Sequence, residues 1–426
     1  MKCSFTILFF LFNYYCIKGQ TYVSGGIFTN TSWTLAGSPY LVSDTLVVFQ
    51  NVTLTIEPGV TVKLDSQAYF EVRGSLISTG TINDSIEFTS NYPQSTSQQY
   101  WWVLYINASL GGKGEFNYSK FEFASTAISL GFGTNGGPLT IRNCTFQNNE
   151  GCIFGGMSWE AIIDSCTFIG NTRAIFLGNN ILSHSLFIEN EWGVGAGTDV
   201  YNCTFCGNGV ALLGGYNDLQ NSVFINNRVG VFNSGAGFTN ITGNIFTEND
   251  TGIVISSNTS YSNGLGTNNI ICNNIIYDLV CYSQFNVSIP YNCWCVTDSL
   301  VIRSKIYDGY NNISYGLIDF NPVLNCDTSV LPDSTVCDGF FTEIVLAALL
   351  STEIELFPNP ASEKLYINSS GKISQLRIFD LPGKELLLQN VNKLEFEIDT
   401  HFFSPGIYFI QLEMENGIVV KKIIKK

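Results

Sequence analysis

Histidine, methionine and basic charge are what this 426-residue chain has little of. It carries two His and three Met, and 20 Lys and Arg stand against 35 Asp and Glu, for a net charge of −15. No nucleic-acid partner is expected, because phosphate recognition needs Lys and Arg gathered on one face. Charged residues are only 13% of the chain while 45% is hydrophobic, which excludes a disordered polymer. There is no Gly-x-Ser-x-Gly elbow, no His-Glu-x-x-His and no phosphate loop. What is abundant is Gly, 40 residues of it, together with Asn, Thr, Ser and Ile. That mixture favours strands and turns over helices.

The N-terminus reads as a secretory signal over residues 1–19. Lys2 supplies the positive start, Phe5 to Ile17 is largely apolar, and Gln20 is the expected new terminus. Cys16 follows Asn-Tyr-Tyr, a poor lipid-attachment context, so no lipoprotein is expected. No later segment reaches the roughly 20 apolar residues of a spanning helix, so no integral membrane segment is expected once the signal is removed. The apolar stretch 340–350 is too short.

Of 13 Cys, Cys3 and Cys16 fall in the signal. Eleven remain, so a complete disulfide framework leaves one thiol over. Export permits disulfides. Cys203-x-x-Cys206 and Cys293-x-Cys295 have metal-like spacings, but no His lies near either pair, and no metal site is expected.

The strongest signal is internal repetition. Phe146, Phe168, Phe187, Phe205, Phe224 and Phe246 are each followed, three residues on, by Asn149, Asn171, Asn190, Asn208, Asn227 and Asn249. Six residues on comes a small residue (Cys152, Ala174, Gly193, Ala211, Gly230, Gly252), and seven on an aliphatic one. Phe121 opens a seventh copy with Ala124 in place of Asn. Successive Phe residues, counted from Phe121, are 25, 22, 19, 18, 19 and 22 apart. Those periods are too short for helical repeats of roughly 33 to 47 residues or propeller blades of about 40 to 45. They fit one turn of a β-solenoid. Stacking puts equivalent residues about 4.8 Å apart in columns, so the Phe and aliphatic columns make a core that no single coil could bury. Asn tolerates the left-handed region and can bond up its column at the corner, which makes it a structural feature. Cys144, Cys166, Ser185, Cys203, Ser222 and Asn244, two residues before each Phe, suit a tight interior slot. Cys144 and Cys166 should be vertical neighbours, either bridged or stacked as buried thiols.

Before these coils, Leu54 to Leu64, Phe70 to Ile77 and Ile86 to Ser90 alternate apolar and polar residues. With Trp101-Trp102 and Gly114 to Phe121, this run resembles the opening of secreted right-handed β-helices of the pectate-lyase-like superfamily. Residues 20–50 are expected to cap the first coil against edge pairing. Tyr291-Asn-Cys-Trp-Cys295, Ile306-Tyr-Asp308 and Ile318-Asp-Phe-Asn-Pro322 resemble the closing part of bacterial β-helix repeat proteins, with Cys293 and Cys295 as departures from that pattern. Cys326 and Cys337 are expected to staple the region that follows.

From Glu355 the texture changes. Cys vanishes, Lys and Arg rise, and the strands lengthen. Pro358-Asn-Pro360, Asp380-Leu-Pro-Gly-Lys384, Gly406-Ile-Tyr408, the turn Asn416-Gly417 and a basic tail occur in order. This stretch resembles the type A sorting domain of the type IX secretion system of Bacteroidetes. The resemblance implies handling by that machinery and a place outside the cell or on its outer surface. The expected fold is therefore all-β: a single-stranded right-handed parallel β-helix over 20–340, a linker over 341–354, and a small antiparallel β-sandwich over 355–426.

Relatives of the β-helix class often cleave polysaccharides, so catalytic constellations deserve a search. Hydrolases of this kind use paired carboxylates and a Gly-His-Gly motif. Here His401 falls in the sorting domain, and His184 shares the coil position of Asn143, Ser165, Asn202 and Asn221, a polar ladder place. Lyases use Ca²⁺ bound by 6 to 8 oxygens and a basic residue. The nearest candidates are Glu150, Glu191 and Asp250, in a column after the corner Asn that is not consistently acidic, and of these Glu150 and Glu191 could form a site with Arg173 near the same corner. Trp192 shares a column with Val210 and Val229 and is the candidate ligand-binding aromatic, provided that column points outward. The sequence thus favours a secreted or surface β-helix that binds extracellular carbohydrate or acts as an adhesive module, without cofactor. The alternatives are a polysaccharide lyase or hydrolase acting on acidic polysaccharide, with Ca²⁺ in the lyase case, and a structural surface protein without a small ligand.

Overall fold

The structure is a computed structural model. It describes residues 19–92, 100–131, 139–156, 161–178, 180–195, 197–214, 218–233, 240–256, 266–325, 331–332, 337, 354–380, 385–414 and 417–426. Residues 1–18 of the expected signal, Trp159, Cys326 and residues 341–353 of the expected linker lie outside these. Two units divide at residues 339 and 340.

The first unit is a parallel β-helix. Each coil contributes three short strands, here named a, b and c in chain order. In one coil they are Leu139–Arg142, Thr145–Gln147 and Gly151–Gly155. The a strands form a 10-stranded parallel sheet; the b and c strands belong to a 23-stranded one. Strands this short follow from the sequence, because two tight corners interrupt each coil. The corner between a and b is turned by Asn143, Ser165, His184, Asn202 and Asn221, and that between b and c by Asn148, Glu189, Asn226 and Glu248, all with φ between 48° and 56°. The left-handed residue is therefore the one before the recurring Asn and not that Asn itself, which corrects the expectation. Its role is different.

Asn149, Asn171, Asn190, Asn208, Asn227 and Asn249 are buried and form a continuous ladder. Asn190 Nδ2 donates to Phe168 O at 3.0 Å and to Asn208 Oδ1 at 3.0 Å, and Asn190 N donates to the same Oδ1 at 2.9 Å. The pattern repeats up to Asn274. Each corner backbone group that loses its partner at the turn is satisfied from the next coil, as burial requires. Beside the ladder, eight Phe rings from Phe88 to Phe246 stack with centroids 4.6 to 5.0 Å apart, all fully buried.

The Cys and Ser slot column is buried as expected, and it also bonds. Ser185 N donates to Cys203 Sγ at 3.4 Å, and Cys203 N to Ser222 Oγ at 3.1 Å. Cys144, Cys166 and Cys203 are free thiols, as are Cys152 and Cys281. Burial pushes the Cys203 thiol up to about 12. Five unpaired thiols among the described residues, where a complete framework would leave one, follow from this use of sulfur as a buried hydrogen-bonding group. Cys337 bonds to Cys206, 131 residues earlier, and Cys272 bonds to Cys295. The expected staple by Cys326 and Cys337 is corrected in this respect: Cys337 reaches back to the body of the helix. Cys206 points outward from strand b yet is buried, as are its column neighbours Ile188 and Ile225.

The ends also differ in detail. Residues 20–50 are not a separate cap, since Thr21–Ile27 pairs in parallel with Tyr40–Val48, and Thr31–Trp33 with Thr53–Ile56. They form the first rungs of the helix itself. At the other end, Arg303 closes the core: Nη1 donates to the buried Asp308 Oδ2 at 2.8 Å, Nη2 to Ile318 O at 3.0 Å, and its guanidinium lies between Tyr310 and Phe320. The helix α1 (Ser299–Ser304) that carries it is capped by Asp298, whose Oδ1 accepts from Leu300 N at 2.8 Å.

The second unit is antiparallel, as expected. Its strands are Ile354–Phe357, Lys364–Asp380, Glu385–Asp399, Gly406–Met414 and Gly417–Lys425. They form a five-stranded sheet around Leu365, Ile367, Leu376, Ile378, Ile410 and Leu412.

Candidate functional site

The c strands place two outward columns on one face of the helix. The first runs through Arg173, Trp192, Val210, Val229, Thr251 and Tyr277. The second carries Phe154 and Phe176, then Leu213, Phe232, Val254 and Val280, and reaches Tyr307. The core takes the residues between them, such as Val194, Leu212, Val231 and Ile253. The Trp192 column therefore points outward, which was the condition for reading it as a binding feature.

Where the coils carry Val210, Val229 and Thr251, between the larger Trp192 and Tyr277, the surface sinks into a groove of about 500 Å³. Trp192, Phe232, Tyr277 and Tyr282 supply its aromatic surface and Arg228 a charged rim. Trp192 and Phe232 are half-buried, and Tyr282 is 43% exposed. Tyr282 lies 6.1 Å from Tyr307 and 5.3 Å from Tyr315, ring to ring, in an edge-on cluster. Burial first, then the neighbouring phenols of Tyr307, Tyr315 and Tyr277, raises its hydroxyl pKa. That hydroxyl stays protonated and can both donate and accept. An apolar floor with a few polar groups at its rim is the composition of a small-ligand or polymer site.

The sequence-derived catalytic candidates do not meet in an ion pair. Glu150 and Glu191 occupy one corner column two coils apart, and Arg173 sits in the neighbouring Trp192 column. All three are exposed, and among the described residues no salt bridge joins Arg173 to either carboxylate. No group of three metal-ligating side chains occurs among the described residues. His184 holds its corner at φ 48° and is exposed, with Nδ1 2.8 Å from Asp164 Oδ1. Burial alone would raise the Asp164 pKa. Hydrogen bonds from Ser183, His184 and Ser165 outweigh it and hold the carboxyl below its usual range.

Sequence reasoning missed the rest of the groove. Leu213, Phe232 and Val254 of its lining all lie eight residues after their coil's Phe, as do Phe154 and Phe176 farther along the same column. Extending the repeat by one column would have found them. Tyr277 and Tyr282 fall where the register loosens and carry no such signal.

Residues 355–426 match the family model described as a secretion system C-terminal sorting domain. The chain carries a secretion sorting domain. It is a secreted or outer-surface protein, in agreement with the type IX motifs. A sequence comparison with curated proteins finds no match. Among solved structures, a tailspike double mutant of E. coli bacteriophage HK620 resembles it at 12% identity, covering 94% of this chain and 86% of that one, with a TM-score of 0.34. A tailspike mutant of the same phage in complex with a pentasaccharide shows 11% identity, 94% and 85% coverage, and a TM-score of 0.27. Likeness at that level carries neither ligand nor chemistry to this chain.

Proposed function

We propose that the sorting domain delivers a saccharide-binding β-helix, and that its ligand lies in the groove headed by Trp192. The observation that carries this reading is the outward Trp192 column, which opens into an aromatic-lined depression on the rigid c face of an exported protein. Aromatic rings offer flat apolar surface to the C–H faces of sugar rings, while Arg228 and the Tyr282 hydroxyl reach hydroxyl groups at the rim. A stacked solenoid needs little reorganisation on binding, which lowers the entropic cost of holding an extended ligand.

The test is affinity electrophoresis of the mature β-helix with its sorting domain through a panel of neutral and acidic polysaccharides. Each mixture is then examined for new reducing ends and unsaturated uronates. Retardation without products, lost in Trp192→Ala, is the expected result. Products would make the protein an enzyme. No retardation by any polymer would leave the groove without a saccharide role.

A further inference from the structure

The same face carries a second aromatic cluster near its first coils. Tyr69 projects outward from the c strand Tyr69–Val72, and its ring lies 5.2 Å from Trp102 and 6.0 Å from Tyr105. Trp102 is 54% exposed, although Trp is highly buried on average. Behind the rings, Glu71 is buried and accepts from Arg73 Nη2 and Asn107 Nδ2, both at 2.6 Å. That bonding fixes Arg73 and Asn107 beside the rings. Arg73 keeps further N–H donors of its guanidinium fork for another acceptor.

We propose that Tyr69, Trp102 and Tyr105 form a second saccharide station on the face that carries the Trp192 groove, so that one neutral linear glycan running along the coil axis engages both. This rests on the groove being a saccharide site. The register supports a shared ligand. Tyr69 pairs with Val103 and Val103 with Thr126, and past a bulge between Thr126 and Ile128 the c strands go on pairing up to Trp192. That is five rungs of about 4.8 Å, or roughly 24 Å along the axis. The half-buried rings of Phe154 and Phe176, stacked at 5.6 Å, pave the interval. Burial, then the charge of Glu71, pushes the Tyr69 hydroxyl up to about 12, so it stays a proton donor.

Charge selects the polymer class. Glu150, Glu191 and Asp250 are unpaired among the described salt bridges along the adjoining corner, against Arg173 and Arg228, on a chain of net charge −15. With three carboxylates against two Arg along it, this corner offers a polyuronate no net attraction, whereas a neutral glycan has no charge for it to oppose.

Two stations on one polymer make the second contact intramolecular, so it shows only with ligands long enough to span both. The experiment compares wild type, Trp102→Ala and Trp192→Ala with linear neutral polysaccharides (β-glucan, β-mannan, xylan and soluble chitin derivatives) and with their short oligosaccharides. Trp102 is largely exposed, so its replacement should leave the thermal midpoint unchanged. The expected result is at least about a tenfold loss of polymer affinity in Trp102→Ala with oligosaccharide binding at the groove unchanged. If Trp102→Ala binds polymer like wild type while Trp192→Ala does not, the second station is wrong and the groove stands. If neither variant changes polymer binding, the groove reading fails and takes the station with it. Binding of acidic polymers alone overturns the neutral class, and binding of none overturns both sites.

Discussion

Asp278 Oδ1 stands where the next asparagine of the buried ladder belongs, accepting from Asn274 N at 3.1 Å and from Asn274 Nδ2 at 2.8 Å. The ladder thus ends on a buried carboxylate. Burial raises its pKa from 3.8 to about 6, against the opposing hydrogen bonds of Asn274 and the charge of Lys305. The folded state therefore holds the proton more tightly than the unfolded chain. Below about pH 4 both are protonated and burial carries no charge penalty. As pH rises from 4 to 6 the unfolded chain ionises first and stability falls, and above 6 the penalty is complete, roughly 3 kcal/mol for a shift near two units.

Asp278→Asn keeps the Oδ1 acceptor and removes the charge. Its thermal midpoint at pH 7 should exceed that of wild type, and the loss of stability between pH 4 and 6 should be smaller. A lower midpoint at pH 7 would mean that Lys305 needs the charge more than burial opposes it.

Within the ladder, Asn208 donates to Phe187 O at 3.0 Å and accepts from Asn190 N at 2.9 Å. Asn208→Ala takes the acceptor from the buried Asn190 N and from one hydrogen of Asn190 Nδ2. At about 1–3 kcal/mol for each, the expected loss is roughly 2–6 kcal/mol in denaturant unfolding. A loss within 0.5 kcal/mol would show that water replaces the amide.

The disulfide between Cys206 and Cys337 closes a loop of 131 residues. Cys206→Ser with Cys337→Ser should lower stability by about 2–5 kcal/mol. In the folded wild type, a thiol reagent should label none of the buried Cys144, Cys152, Cys166, Cys203 and Cys281, and should label all five after unfolding without reductant. Labelling of the native protein would place a thiol outside the core.

Arg303→Ala should cost about 3–5 kcal/mol, because it strands the buried Asp308 carboxylate and empties the space between Tyr310 and Phe320. Equal loss in Arg303→Lys would show that stacking and the fork geometry matter as much as the charge.

The parallel coils were legible because period and chemistry agree: Phe, Asn and the small residue recur where stacking demands them. The left-handed position was harder to read. Gly170 and Gly207 share it with Asn148, Glu189 and Glu248, so residue type alone does not reveal it. The Cys206–Cys337 bond was not legible, since pairing across 131 residues depends on where the chain returns in space. Trp192 could be named from its column, but its outward direction came only with the corner geometry. The outward direction of Trp102 was not legible, because the sequence does not tell which of two adjacent tryptophans turns inward; Trp101 does, donating its indole N–H to Glu122 O at 2.8 Å.

Hydroxyl-radical footprinting of the protein with and without a bound polysaccharide tests the saccharide-binding face most directly. Protection of Trp192, Tyr277 and Tyr282, with His184 and Tyr201 on the a-strand side reacting as before, is the result this account predicts. Protection of the a-strand side with Trp192 unchanged would contradict it.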